Sequence, residues 1–243
     1  MILPSPLHHT CMLLREHGVI AFAPNIAPYV KLEVGSAAWT RVIGKVLKMT
    51  GSSKINVIAH SMGGISLRHA IHTMDLEGTV SSLTTVSSPH HGTSLADMAI
   101  ETPKTALKTF INISDKLGNA IYPRIQSDIL GALHQLTPGY MAGFNRVTPD
   151  APGISYYSVS AATGKNTDTN IGMLLTPYNR YIYAREGIND GFVSEKSAHW
   201  GEHIACISLS HLEQVKLNLS RNHIPEWENL WLSIIRRLSE GGH

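Results

Sequence analysis

Apolar and polar positions along the chain fall into two alternating kinds of stretch. Short apolar or β-branched runs bounded by turn residues occur at VIAFAPNI (19–26), INVIAH (55–60), VSSLTTVSSP (80–89), ISYYSVSA (154–161) and HIACISLS (203–210). Runs of this kind predict strands buried on both faces. Between them the period lengthens to that of a helix. HTCMLLREHG (9–18) predicts a short helix ended by Gly18. SAAWTRVIGKVLKMTG (36–51) predicts a helix with Ser36 as its N-cap and Trp39, Val42, Ile43, Val46 and Leu47 on one face. GISLRHAIHTM (64–74) is helical by the same criterion. IPEWENLWLSIIRRLSE (224–240) predicts an amphipathic terminal helix with Pro225 in its first turn. The alternation predicts a single α/β domain over residues 1–243, a mostly parallel sheet with helices on both faces.

Residues 98–149 break the rhythm. They offer no good strand, and their helical pieces, TALKTFINISDKLGNAI and SDILGALHQL, are amphipathic. In an α/β protein such an insertion predicts a cap or lid.

Composition narrows the function classes. The chain has 243 residues, enough for a large core, and a formal charge of +2 with its 20 Lys and Arg scattered, so nothing predicts a nucleic-acid partner. The 14 histidines are dispersed, and no pair has the HExxH zinc spacing. Two cysteines, Cys11 and Cys206, are read as buried thiols rather than as a disulfide. No apolar run reaches the roughly 18 residues of a transmembrane span. MILPSPLHHT shows no signal peptide, and the compartment stays open.

The chemistry concentrates in KINVIAHSMGGIS (54–66). A strand, a tight turn centred on Ser61 and then a helix is the layout of a nucleophile elbow. The turn needs small residues two before and two after the serine, so that strand and helix can approach. Gly63 and Gly64 supply the later positions. Ala59 stands where a glycine is usual, and one methyl is the smallest departure available. The elbow exposes the Ser61 hydroxyl and aims the Met62 backbone N–H toward a developing oxyanion.

A serine hydroxyl is a weak nucleophile and needs a base oriented by an acid, in the chain order Ser, acid, His on this fold. The late histidines are His199, His203, His211 and His223. His211 follows HIACISLS and so belongs at a strand's C-terminal end, where a base is needed. His203 opens that strand, at the opposite edge. The acid candidates are Asp150, Asp168 and Asp190. Asp168 follows the strand at 154–161. Asp190 is preferred because GINDGFVS places it in a tight Asn-Asp-Gly turn that holds a carboxylate rigidly.

With these residues named, the sequence resembles the bacterial true triacylglycerol lipases of the pseudomonad type and the related fungal mitochondrial lipases. NVIAHSMGG (56–64), LTTVSSPHHGTSLAD (83–97), GYMAGFNRVTPD (139–150), GISYYSVS (153–160), INDGFVSEKSAHWG (188–201) and SLSHLEQV (208–215) carry the likeness, in family order. It implies an α/β-hydrolase fold, a lid in 98–149 and hydrolysis of carboxylic esters, with Ser61 as nucleophile, Asp190 as acid and His211 as base. The implied partner is a lipid or ester substrate, taken up at a lipid–water interface. The chemistry requires no cofactor, although the family's structural calcium would fall on Glu213 and on Asp168 or Asn170. The resemblance also implies an apolar strand ending in His-Gly ahead of the first helix, lying between VIAFAPNI and INVIAH and giving the first oxyanion N–H. The chain opens instead at MILPSPLHHT, so that strand is expected to be missing. Other outcomes on this fold are an acyltransferase, a phospholipid or GPI-type deacylase, or a truncated, non-catalytic lipid-binding homologue.

Overall fold

The structure is a computed structural model that describes residues 5–27, 29–102 and 129–243. Four strands, β1 (Ile55–His60), β2 (Val80–Val86), β3 (Ser155–Ala161) and β4 (Glu202–Ile207), form one sheet in the order β1-β2-β3-β4. All three pairings are parallel. The C-terminal ends of the strands therefore share one edge, from which the loops carrying Ser61 and His211 leave.

Each face of the sheet is covered by helices whose apolar stripes match the alternation of the strands. On one face Val57 and Ala59 of β1 and Leu83 of β2 pack with Trp39 and Ile43 of α2 (Leu32–Thr50) and with Leu67 and Ile71 of α3 (Met62–Thr73). On the other face Val159 and Ala161 of β3 and Ile207 of β4 pack with Leu13 and Leu14 of α1 (His8–Glu16) and with the terminal helix Ile224–Glu240. Trp227, Trp231 and Ile234 of that helix are buried to 2% exposure or less. Burying an aromatic or Leu/Ile side chain stabilises the fold by about 1.5–3 kcal/mol. The two stacks are thus the main source of cohesion.

Two expectations from the apolar pattern are corrected. Residues 19–26 belong to no strand. Two of their carbonyl groups are met by side chains: Arg15 Nε donates to Ala21 O at 2.8 Å and Ser5 Oγ to Pro24 O at 3.2 Å. Ile20, apolar in the sequence pattern, is 82% exposed. Among the described residues nothing pairs with the outer edge of β1, and a cavity of about 950 Å³ lies between that edge and residues 19–27.

The second correction concerns Ser36. Helix α2 begins at Leu32, one turn earlier, and Ser36 sits inside it, fully buried, with Oγ 2.7 Å from Leu32 O. The start is capped from a distant part of the chain, where Gln135 Oε1 accepts from Leu32 N at 2.7 Å. A buried serine satisfied by back-bonding to the preceding turn no longer terminates a helix.

Of the insertion 98–149, three helices are described: α4 (Ser94–Glu101), α5 (Ile129–His134) and α6 (Pro138–Val147). Ala96, Ala132, Met141 and Phe144 from these helices pack on Leu32, Met62 and Ile65. The rest of the expected lid, residues 103–128, lies outside the described residues. The remaining helix, α7 (Thr176–Glu186), follows β3; the terminal helix Ile224–Glu240 is α8.

Candidate active site

Strand β1 ends at His60 and α3 begins at Met62, so a single residue, Ser61, makes the turn. Its backbone has φ 55° and ψ −136°, a region that L residues with a side chain adopt only under strain. The strain is held from both sides. Ser61 N donates to Val86 O at 2.9 Å, and Ser88 Oγ donates to Ser61 O at 2.6 Å. The Met62 N–H is the first of α3, and first-turn N–H groups have no intrahelical acceptor.

The glycines around Ser61 are not equivalent. A β-carbon on Gly64 would clash with Ser88 Oγ and stand 2.7 Å from Thr85 Cγ2. One on Gly63 would find only ordinary contacts, at 3.9 Å, and one of those is the Ala59 methyl. The close approach of α3 is therefore toward the loop after β2 rather than toward β1. That is why alanine is accommodated at position 59.

His211 leaves the end of β4 and bridges the other two groups. Its Nε2 is 2.9 Å from Ser61 Oγ, and its Nδ1 is 2.7 Å from Asp190 Oδ2. A carboxylate only accepts, so the ring's proton is on Nδ1 and the Nε2 lone pair faces the serine hydroxyl. Asp190 is fully buried, and its Oδ1 accepts from the backbone N–H of Phe192 (3.0 Å) and Val193 (2.8 Å), the tight turn expected of GINDGFVS. Burial opposes the ionised form of Asp190. The His211 ring and the hydrogen bonds from His211, Val193 and Phe192 outweigh it and hold the carboxyl below its ordinary range.

The other candidates lie elsewhere. Asp168 is exposed. Asp150 accepts from Trp200 Nε1 at 2.7 Å, near the surface. His203 is the second residue of β4, at the sheet edge opposite Ser61, and contacts Ser160 Oγ at 2.9 Å, with His199 stacked on it. His223 is 2.7 Å from Glu213 Oε1.

Glu213, where calcium is implied, has both oxygens engaged within the protein. Oε2 accepts from Ser210 N and Oγ at 3.0 and 2.7 Å, while Oε1 meets His223. Calcium takes six to eight oxygen ligands. Among the described residues no group of three or more His, Cys, Asp or Glu side chains placed to share an ion includes Glu213.

Two contributors, Gln214 and His60, are not singled out by the sequence pattern. Gln214 is fully buried three residues after His211; its Nε2 donates to Asp190 Oδ2 at 3.0 Å. Its Oε1 faces His60 Nε2 at 3.0 Å. Burial, with the His211 ring beside it, lowers His60 to about 3, so this imidazole stays neutral at neutral pH. The only local hint of Gln214 is its place in HLEQV, three residues after the candidate base.

The cavity beside β1 opens onto this constellation. Its wall includes Ser61, Met62, Phe192, His211 and Leu212 at one end and Val19, Phe22, Trp39 and Trp231 further in.

Comparison with known proteins agrees with this architecture. The family described as PGAP1-like alpha/beta domain matches residues 38–125. Triacylglycerol lipase 2 of Saccharomyces cerevisiae is 30% identical over 83% of this chain. A triacylglycerol lipase of Pseudomonas fragi is 28% identical over 97% of this chain and 90% of its own length. The chain spans 59% of the yeast protein, and 51% and 45% of the triacylglycerol lipases of Pseudarthrobacter phenanthrenivorans and Burkholderia plantarii. Among solved structures, the mature lipase BlEst2 of Bacillus licheniformis superimposes with a TM-score of 0.63 at 22% identity, over 85% of this chain and 77% of its own. The metagenomic carboxyl esterase MGS0156 does so with a TM-score of 0.67 at 18% identity, over 89% of this chain and 64% of its own.

Proposed function

We propose that this chain, which has the α/β-hydrolase fold of the lipases and esterases, hydrolyses carboxylic esters of apolar acyl groups, with acylglycerols as the substrate class. The observation that carries the reading is the single imidazole of His211, within hydrogen-bonding distance of both Ser61 Oγ and Asp190 Oδ2. In the first half-reaction Ser61 Oγ attacks the ester carbonyl while His211 Nε2 takes the hydroxyl proton. The carbonyl oxygen becomes an oxyanion and is met by the Met62 N–H. Asp190 keeps the Nδ1–H tautomer in place and stabilises the imidazolium. Collapse of the intermediate breaks the bond to the alkoxy oxygen. His211 returns the proton to that oxygen, and the alcohol departs, leaving an acyl-serine. In the second half-reaction water replaces the alcohol: His211 deprotonates it, the acyl-serine is attacked, and the proton returns to Ser61 Oγ as the fatty acid leaves.

At its Ser61 end the cavity is lined by Met62, Phe192 and Leu212, apolar groups that suit an acyl chain. Acylglycerols are proposed because the yeast and Pseudomonas relatives bear the name triacylglycerol lipase. The test is a fluorophosphonate probe combined with a substrate panel. Wild type is expected to be labelled at Ser61 and to cleave short-chain glycerides, whereas Ser61→Ala does neither while keeping its circular dichroism spectrum. Labelling that persists in Ser61→Ala overturns the nucleophile. Turnover of phosphatidylcholine far above that of glycerides overturns the substrate class.

A further inference from the structure

At the edge of the sheet opposite Ser61, three side chains converge that the proposed reaction does not use. Glu195 and His199 flank a short helical turn, Lys196–Ala198, and His203 is the second residue of β4. One ligand atom from each lies within 4.8 Å of the other two, the only such group of His, Cys, Asp or Glu among the described residues. The His199 and His203 rings stack with centroids 3.8 Å apart and planes 29° apart. His199 Nε2 pairs with Glu195 Oε1 at 2.6 Å and is otherwise shielded from solvent.

We propose that Glu195, His199 and His203 form a binding site for a divalent zinc-class cation. Two imidazoles and one carboxylate are the donor set that Zn²⁺ takes, with water in the fourth position. Calcium would demand an oxygen cage that these residues do not offer. Bonds of about 2.0–2.2 Å in a tetrahedron put ligand atoms roughly 3.4 Å apart. Reaching it requires the stacked His199 and His203 rings to turn out of their present contact. Ser160 Oγ stands 2.9 Å from His203 Nε2. The ion would tie the segment that carries Asp190 to the strand that leads to His211, and its role is structural.

The experiment uses the full chain after chelation and dialysis. Zn²⁺ is titrated by calorimetry, and Co²⁺ is followed by its visible absorption. One Zn²⁺ per chain, a raised melting temperature and a tetrahedral Co²⁺ spectrum are expected. Glu195→Gln, His199→Gln and His203→Gln should each weaken binding at least about tenfold. The His199 side chain is 40% exposed, so His199→Gln tests the site without disturbing the core. A His8→Gln/His9→Gln variant, which removes the exposed histidine pair of α1, should bind as wild type does. Absence of saturable binding overturns the proposal. So does binding that survives His199→Gln but disappears with His8 and His9, or tighter binding of Ca²⁺ than of Zn²⁺.

Discussion

Gln214 Nε2 donates to Asp190 Oδ2 over 3.0 Å, and this is the same carboxylate oxygen that His211 Nδ1 meets over 2.7 Å. One amide therefore sets the angle at which the carboxylate presents itself to the imidazole. Its other end meets His60 Nε2, so a single buried side chain ties both neighbours of the elbow together. Removing it should loosen the acid without removing any reacting group. Gln214→Leu is expected to lower kcat on a soluble ester on the order of tenfold with KM little changed. That is well short of the roughly 10²–10⁴ that a base itself supplies. Steady-state kinetics separate the two parameters, and a pure rise in KM would show that Gln214 acts on substrate binding instead.

Asp190 and Asp168 make opposite predictions. Asp190→Asn keeps the shape but favours the wrong imidazole tautomer, and turnover should fall by about 10⁴. Asp168 is exposed, and Asp168→Asn should leave turnover within about twofold of wild type, as surface substitutions usually do. The pair is compared by ester hydrolysis at neutral pH, and a reversal of the two effects would move the acid to the end of β3.

The crowding at α3 falls on Gly64 rather than Gly63. Gly64→Ala drives a methyl into Ser88 and Thr85 and should destabilise the chain by about 1–3 kcal/mol. Gly63→Ala meets only van der Waals contacts and should cost far less. Urea unfolding midpoints rank the two variants. Equal midpoints would mean that α3 shifts freely at its start.

Acid should weaken the fold through His60. Its folded pKa of about 3 lies below the ordinary 6.5, so the unfolded chain takes up this proton first as pH falls. Stability is then lost progressively from about pH 6.5 downward toward pH 3. His90, buried beside Arg68, is lowered as well and adds in the same direction. In His60→Phe the decline in unfolding free energy between pH 6.5 and 4 should be shallower than in wild type, whatever the variant's stability at pH 7. Parallel slopes for the two proteins would show that His60 takes up its proton in the folded state too.

What the sequence determined by itself was the part of the protein governed by neighbours along the chain. The strand-turn-helix around Ser61, the Asn-Asp-Gly turn that fixes Asp190 and the apolar stripe of Ile224–Glu240 all follow from local sterics, turn chemistry and period. Each appears within a few residues of its predicted place. Tertiary structure decided whatever depends on a distant partner. An apolar run such as 19–26 has the same pattern whether or not another strand lies beside it, because half of a strand's hydrogen bonds belong to its neighbour. Ser36 is a good cap by composition, but Gln135, 103 residues away from Leu32, supplies the cap that is used. Gln214 had no motif because its importance lies in where its amide points. Ser61 and His211, 150 residues apart, meet only because parallel strands bring their C-terminal ends to one edge. His199 and His203 end up stacked at the other edge, where β4 begins, through the same packing of the whole chain.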